Sequence, residues 1–130
     1  MRLVALDIDG TLLRSDRTLS PRTREAIAKA RAIGVRVVLV TGRRHPSARR
    51  VADQVGDALP LVVHNGALVF EDGSLIRSRP LARDVAARAI LAGRALGLEP
   101  IVHCGGRGEG LLLVEARAHA SGLVLSLIHI

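Results

Sequence analysis

Apolar residues in the first half of the chain fall into short runs, and each run ends in polar residues. The predicted strands are Leu3–Leu6, Val35–Val40 and Leu61–His64, with Arg36 as the one charged interruption of an apolar run. Short apolar runs of this kind are typical of strands that are buried on both faces of a parallel sheet. The pattern therefore predicts three parallel strands, with polar groups gathered where the strands end.

Amphipathic stretches between the runs predict helices. Ser20 and Pro21 are typical of a helix start, and Gly34 stands where a helix commonly ends. A strand, a helix and a strand with short connections predict a right-handed parallel unit. Two sets of apolar residues at helical spacing are expected to face the sheet: Ala26, Ile27, Ala30 and Ile33 in the first helix, and Ala48, Val51, Ala52 and Val55 in a second helix over Pro46–Val55.

The character of the sequence changes after the third strand. The predicted elements are, in order, a hairpin of Leu68–Phe70 and Leu75–Ile76, an Ala-rich helix over Leu81–Leu96, and two strands, Pro100–His103 and Leu111–Glu115. Val85, Ala89 and Leu96 mark one face of that helix. The sequence therefore predicts an α/β fold with a parallel sheet over residues 1–79, followed by a smaller α+β unit from residue 80.

Composition and charge exclude several classes of protein. Apolar residues make up 48% of the chain, enough for a hydrophobic core, and a single cysteine, Cys104, rules out an internal disulfide framework. The net charge of +7 comes from basic residues that are spread along the chain, and Phe70 is the only aromatic residue. No apolar stretch reaches the roughly 18 residues that span a membrane. We expect a cytoplasmic protein that binds neither nucleic acid nor membranes.

Two carboxylates, Asp7 and Asp9, follow the first predicted strand directly and precede a Gly10-Thr11 turn. Residues two positions apart on an extended backbone point to the same side, so both carboxylates can act on one centre. Asp7 is a candidate nucleophile and Mg²⁺ ligand and Asp9 a candidate general acid and base, because Mg²⁺ prefers oxygen ligands and an aspartate can attack phosphorus. The alternative is that both aspartates only begin a polar turn.

Polar residues also follow the second and third strands. Thr41 and Gly42 end the second strand, where a hydroxyl and a glycine amide before a helix suit a phosphate group, although a plain turn has the same pattern. Arg43 follows them and is near enough to reach a substrate. Asn65-Gly66 ends the third strand and is first of all a tight-turn signal, but its position leaves a substrate-binding role open.

The three strand-end motifs resemble those of the haloacid dehalogenase (HAD) superfamily. Asp-Ile-Asp-Gly-Thr-Leu at 7–12, Thr-Gly-Arg at 41–43 and Asn-Gly-Ala at 65–67 occur in the order found in its Cof-type branch (subfamily IIB). The resemblance implies the N-terminal part of a Rossmann-like core over residues 1–79 and the beginning of an α+β cap domain over residues 80–124. It also implies a Mg²⁺-dependent phosphomonoester hydrolase that acts through an aspartyl-phosphate on sugar phosphates or similar small phosphorylated metabolites.

Site residues follow from the resemblance position by position. Asp7 would be the nucleophile and a metal ligand. Asp9 would be the acid and base, and its main-chain carbonyl would also bind Mg²⁺. Thr41 and Gly42 would bind the phosphate, while Arg43 and Asn65 would lie near the substrate or the cap interface.

Two parts of the family pattern have no match in the sequence. The phosphate-clamping lysine should follow the cap, yet Lys29 is the only lysine, and residues 85–130 contain no aspartate for the second acidic metal motif. We therefore expect an N-terminal fragment that is inactive alone, with its first strand left as an exposed apolar edge. Residues 125–130 resemble the translation of a transposon-end adapter used in sequencing libraries, and we expect them to be a non-native tail.

Two other functions stay open at this point. A phosphomutase of the same superfamily uses the same pair of aspartates. A non-catalytic module would bind phosphate ligands or a protein partner without catalysing a reaction.

Overall fold

The computed structural model describes residues 2–56, 59–104, 111–114 and 124–127. The chain divides into two compact units, Met1–Arg77 and Ser78–Ile130. Its helices and strands are β1 (Arg2–Asp7), α1 (Pro21–Ala32), β2 (Val35–Val40), α2 (His45–Val55), β3 (Leu61–Val63), β4 (Leu68–Glu71), β5 (Ser74–Ser78), α3 (Arg83–Ala95), β6 (Glu99–Cys104), β7 (Leu111–Val114) and β8 (Val124–Leu127).

The first unit is built on a five-stranded sheet in the order β1-β2-β3-β4-β5. Strands β1, β2 and β3 run parallel, and β4 turns back antiparallel to β3. Asp7 pairs with Val40, and Val40 pairs with Val62, so the three parallel strands end almost level with one another. The predicted α/β fold with a mostly parallel sheet is confirmed, and the polar strand ends share one edge as expected.

Strand β1 is the edge of this sheet, and it is not buried on both faces as its apolar run predicts. Leu3 is 54% exposed and Val4 is 42% exposed. The apolar run suits a buried strand, but among the described strands β1 pairs only with β2. The exposed apolar edge that the sequence analysis also expects is present in the described structure.

One face of the sheet carries the hydrophobic core. Val37 and Leu39 of β2 and Val63 of β3 join a buried cluster in which α2 packs with the four residues predicted for it: Ala48, Val51, Ala52 and Val55. On the opposite face, Val38, Val40, Val62 and Val69 line an open, largely apolar groove of about 320 Å³, which Arg36 and Glu71 also line. The alternation of side chains along β2 therefore separates the helix-covered face from an uncovered one.

Helix α1 begins and ends where the sequence predicts, but it buries less of its apolar face. The side-chain oxygen of Ser20 accepts a hydrogen bond from the Thr23 N–H at 3.0 Å, and Gly34 adopts a φ of +78° after the helix. Of the residues expected to face the sheet, only Ile27 is fully buried, while Ile33 is 67% exposed. Helical spacing shows which residues share a face, but the sheet ends at β1 and covers little of it.

The second unit contains α3 and a three-stranded sheet in the order β7-β6-β8. Strand β6 is antiparallel to β7, which confirms the two strands predicted after the helix, and parallel to β8. Helix α3 buries Ala86 and Gly93, whereas Val85 and Leu96 of the predicted face are exposed. The prediction concerns only which residues share a face of the helix, and their exposure leaves it unchanged.

Two sequence predictions extend beyond the described residues. The Gly-rich connection over residues 105–110 and the end of the predicted non-native tail, 128–130, lie outside them. Within the described ranges, every helix falls short of the length and apolar character that spanning a bilayer requires.

Candidate active site at three strand ends

The first strand end carries the two aspartates, one as the last residue of β1 and one in the turn that follows. Asp7 is the last residue of β1, and the chain then enters a wide turn over Ile8–Leu12, closed by a hydrogen bond from the Leu13 N–H to the Ile8 carbonyl at 3.0 Å. Ile8 and Leu12 are buried and anchor this turn, which leaves Asp9 exposed between them. Both aspartates have extended backbone angles, with a ψ of 153° at Asp7 and 119° at Asp9, although the strand itself ends at Asp7.

Four of the predicted site residues line one open cleft. Asp7, Thr41, Gly42 and Asn65 surround a space of about 520 Å³ at the shared strand edge, with Ala5 and Val40 at its base. They come from the ends of β1, β2 and β3, which the parallel register brings level. Binding sites of open α/β sheets lie in this position, beyond the carboxyl ends of the strands.

Thr41 is held in place by its main chain and its side chain. It is only 4% exposed, and its N–H donates to the Val62 carbonyl at 2.9 Å. Its hydroxyl oxygen accepts a hydrogen bond from the Arg43 N–H at 3.1 Å. The hydroxyl proton stays available as a donor, so Thr41 can offer a fixed hydrogen bond to an anionic group in the cleft.

The loops after β2 and β3 are joined by main-chain hydrogen bonds. The His64 N–H donates to the Arg43 carbonyl at 3.0 Å, and the Asn65 N–H donates to the Thr41 carbonyl at 3.3 Å. Asn65 adopts a φ of +53°, a conformation that asparagine tolerates better than most residues. The turn predicted at Asn65-Gly66 is thus present, and the turn directs the Asn65 side chain toward Gly42.

Arg43 reaches across the strand ends to Asp9. Its Nε donates to Asp9 Oδ2 at 2.8 Å and its Nη2 to Asp9 Oδ1 at 2.5 Å, so the guanidinium engages both carboxylate oxygens. These hydrogen bonds, with a smaller effect from the charge of Arg17, hold the pKa of Asp9 below its usual value. The same hydrogen bonds raise the pKa of Arg43.

This ion pair was missed in the sequence. The sequence analysis places Arg43 only near the substrate. The one feature of the sequence that could indicate a contact with Asp9 is their opposite charge at two neighbouring strand ends. Thirty-four positions separate the two residues, a separation that only the tertiary fold closes.

The oxygen donors at the first strand end fit a magnesium ion supported by a substrate phosphate. Asp7 presents its carboxylate to the cleft, whereas the carboxylate of Asp9 is engaged by Arg43. Among the described residues, no three histidine, cysteine, aspartate or glutamate side chains are close enough to hold a metal by themselves. Magnesium is commonly bound by one or two carboxylates together with phosphate and water, which matches this donor set.

Comparisons with known proteins find relatives among hydrolases. A model of the haloacid dehalogenase-like hydrolases matches residues 4–106. The 5-amino-6-(5-phospho-D-ribitylamino)uracil phosphatase YwtE of Bacillus subtilis is 33% identical over 90 residues, which cover 69% of this chain and 31% of that protein. The pyridoxal phosphate phosphatase YbhA of Escherichia coli is 37% identical over 70 residues, 54% of this chain and 26% of that protein.

A solved structure shows the same arrangement of elements. A haloacid dehalogenase-like hydrolase from B. subtilis superposes with a TM-score of 0.69 at 27% identity, over 76% of this chain and 35% of that one. The chain thus spans less than a third of the length of the two curated relatives, and about a third of this structure.

Proposed function

The chain belongs to the haloacid dehalogenase-like hydrolases, in their Cof-type branch, and on that premise we propose that its protein is a Mg²⁺-dependent phosphatase. The observation that carries this proposal is the cleft in which Asp7 faces Thr41, Gly42 and Asn65. A carboxylate beside a hydroxyl and an open main-chain amide is the arrangement that attack on a bound phosphate requires.

The reaction proceeds in two steps on these side chains. A carboxylate oxygen of Asp7 attacks phosphorus, the bond from phosphorus to the leaving oxygen breaks, and Asp9 gives that oxygen a proton. Asp9 then takes a proton from water, which attacks the aspartyl-phosphate and releases inorganic phosphate and the free Asp7 carboxylate. The two displacements, each easier than direct hydrolysis, together replace one difficult step.

The remaining groups bind the phosphate. Thr41 offers its hydroxyl and Gly42 its main-chain amide, while Asn65 and Arg43 stand where they can approach the rest of the substrate. Asp7 and the main-chain carbonyl of Asp9 would hold a Mg²⁺ ion, which would supply positive charge that offsets the phosphate charge. The fixed hydrogen bonds of Thr41 mean that this part of the site does not have to rearrange during the reaction.

The substrate class follows from the relatives rather than from the cleft. The two curated relatives are named as phosphatases of pyridoxal phosphate and of a phosphoribitylamino-uracil. Both compounds are small metabolites with a single phosphomonoester. We therefore propose sugar phosphates or similar small phosphorylated metabolites as substrates of the whole protein.

The whole protein, rather than residues 1–130 alone, is the proposed catalyst. The chain covers less than a third of the curated relatives, and residues 85–130 contain neither a lysine nor an aspartate. Loss of a single charge-stabilising donor lowers kcat by about 10²–10³-fold in a well-studied hydrolase, so a site that lacks a lysine and a metal ligand would have little activity.

The proposal is tested with the product of the full-length gene. Release of phosphate from p-nitrophenyl phosphate is measured with and without Mg²⁺ for the wild type, Asp7→Asn and Asp53→Asn. Asp53 is the matched control because it is an exposed aspartate on α2, paired with Arg49 on the same helix. We expect Mg²⁺-dependent release that Asp7→Asn lowers by about 10³-fold or more and that Asp53→Asn leaves unchanged.

Other outcomes separate the alternatives. Transfer of phosphate between positions of a sugar without net release indicates a phosphomutase. Binding of inorganic phosphate without release or transfer indicates a non-catalytic module. Activity that survives Asp7→Asn contradicts the assignment of the nucleophile.

A further inference from the structure

We infer that Arg43 is a positioning residue that aims the Asp9 carboxylate during catalysis. This inference rests on the proposed function and extends it, because the motif resemblance places Arg43 only near the substrate or the cap. The structure instead engages the guanidinium with Asp9, through two hydrogen bonds to the two carboxylate oxygens. Two parallel hydrogen bonds fix the plane of a carboxylate, which one bond to a lysine does not.

The Asp9 side chain has little else in the described structure to orient it. It is 58% exposed, and it lies on a turn between two buried residues, Ile8 and Leu12, that anchor the main chain but not the carboxylate. The hydrogen bonds recorded for its carboxylate come from Arg43. A group that transfers protons must lie within hydrogen-bond distance of the group it serves, so an exposed carboxylate needs such a support.

Arg43, in contrast, is well fixed. Its side chain is 24% exposed, its N–H donates to the Thr41 hydroxyl oxygen, and its carbonyl accepts from the His64 N–H. The residue that orients Asp9 is thus fastened to the phosphate-binding Thr41 and to the loop after β3. Any phosphate held by Thr41 is thereby placed in a fixed relation to the Asp9 carboxylate, which takes the proton from the attacking water.

The pair has no comparable value for the stability of the fold. Exposed ion pairs contribute little to the free energy of unfolding, because water screens them and two side chains lose freedom. The pair also lies at the rim of the site, outside the buried cluster that α2 and the sheet form.

The experiment uses the full-length enzyme and an alkyl phosphate, whose leaving group needs a proton. Arg43→Met keeps the length of the side chain without the guanidinium, Arg43→Lys keeps only a charge, and Arg50→Met is the control for loss of an exposed arginine on α2. We expect Arg43→Met to lower kcat by about 10²-fold, as misplacement of a catalytic group does, with KM within a few-fold of wild type. Arg43→Lys should recover part of kcat, and Arg50→Met should match the wild type.

Combination with Asp9→Asn shows whether Arg43 acts through Asp9. If it does, adding Arg43→Met to Asp9→Asn lowers kcat no further. A further fall in the double variant, or a rise in KM with kcat unchanged, shows that Arg43 binds the substrate directly and overturns the inference. An unchanged kcat in Arg43→Met overturns it as well, while the proposed function stands. A wild type that releases no phosphate overturns both.

Discussion

Gly42 lies so close to Asn65 that a Cβ atom on Gly42 would stand 2.6 Å from Asn65 Oδ1. Its backbone does not use the left-handed conformation that favours glycine, so the reason for glycine here is the close approach. Because Gly42 has no side chain, the turn after β3 can approach the end of β2 closely. Asn65 can therefore share the cleft with Asp7 and Thr41.

Gly42→Ala should accordingly weaken substrate binding by displacing Asn65. We expect KM for a small phosphomonoester to rise several-fold, with a smaller change in kcat, in steady-state assays of the full-length enzyme. The double variant Gly42→Ala/Asn65→Ala is the matched control, because it removes the atom that the new methyl group meets. If the double variant is no better than the sum of the two single changes predicts, the clash is not the cause.

Removal of the Thr41 hydroxyl should lower activity without unfolding the protein. Thr41→Val keeps the shape of this buried side chain but removes the proposed donor to phosphate and the acceptor for the Arg43 N–H. We expect kcat/KM to fall by about 10²-fold, the usual effect of losing one fixed donor at a developing charge. Thr41→Ser, which retains the hydroxyl, should stay within about tenfold of wild type; equal losses in both variants would show that the methyl group matters instead.

Local sequence signals predict the elements and the strand-end position of this site, because they act over a few residues. Ser20, Pro21 and Gly34 bound α1, and the apolar runs become strands that end level at Asp7, Val40 and Val62. Burial was predicted less well. The exposure of Leu3 and Ile33 depends on which elements cover β1 and α1. The residues of β1 and α1 do not indicate which elements those are.

The side-chain geometry of the site was predicted only in part. The cleft unites four expected residues, since parallel register alone brings strand ends together. The contact between Arg43 and Asp9 was not predicted, because it depends on the direction in which the turn after Asp7 carries Asp9. The turn over Ile8–Leu12 has no sequence signature as specific as the one that marks a helix cap.

Ser20→Ala should destabilise the fold and leave the catalytic activity unchanged. The Ser20 side chain accepts a hydrogen bond from the Thr23 N–H, one of the free donors at the start of α1. We expect the free energy of unfolding to fall by about 1 kcal/mol, the usual value for a lost N-cap. Denaturant unfolding measures the change, with Ser15→Ala in an exposed loop as the comparison. An equal loss in both variants would argue against a capping role.

Protonation of His45 should destabilise the protein at acidic pH. Its ring stacks on Phe70 at a centroid distance of 3.8 Å, and its Nε2 is buried with no hydrogen-bond partner in the described structure. Burial, and next the charge of Arg49, lower the pKa of His45 below its ordinary value of 6.5. The unfolded chain then binds more protons near and below pH 6.5, so stability falls as the pH drops from there toward the folded pKa.

His45→Phe separates this contribution from that of other groups, because phenylalanine keeps the stacked ring and does not titrate. The free energy of unfolding is measured between about pH 5 and pH 7, on either side of the ordinary histidine pKa. We expect a shallower dependence on pH in the variant than in the wild type. Identical slopes would mean that His45 is neutral or charged to the same extent in the folded and unfolded chains.

The most direct test of the central claim is to identify the residue that becomes phosphorylated. The full-length Asp9→Asn variant is suited to this, because p-nitrophenolate leaves without a proton, while hydrolysis of the intermediate lacks its base. The variant is mixed with p-nitrophenyl phosphate and Mg²⁺, quenched in acid and treated with borohydride, which reduces an aspartyl-phosphate to homoserine. Peptide mass spectrometry of the tryptic segment Leu3–Arg14 should then find homoserine at position 7. Turnover of substrate by the wild type, with an unmodified Asp7 in the trapped variant, would contradict the account.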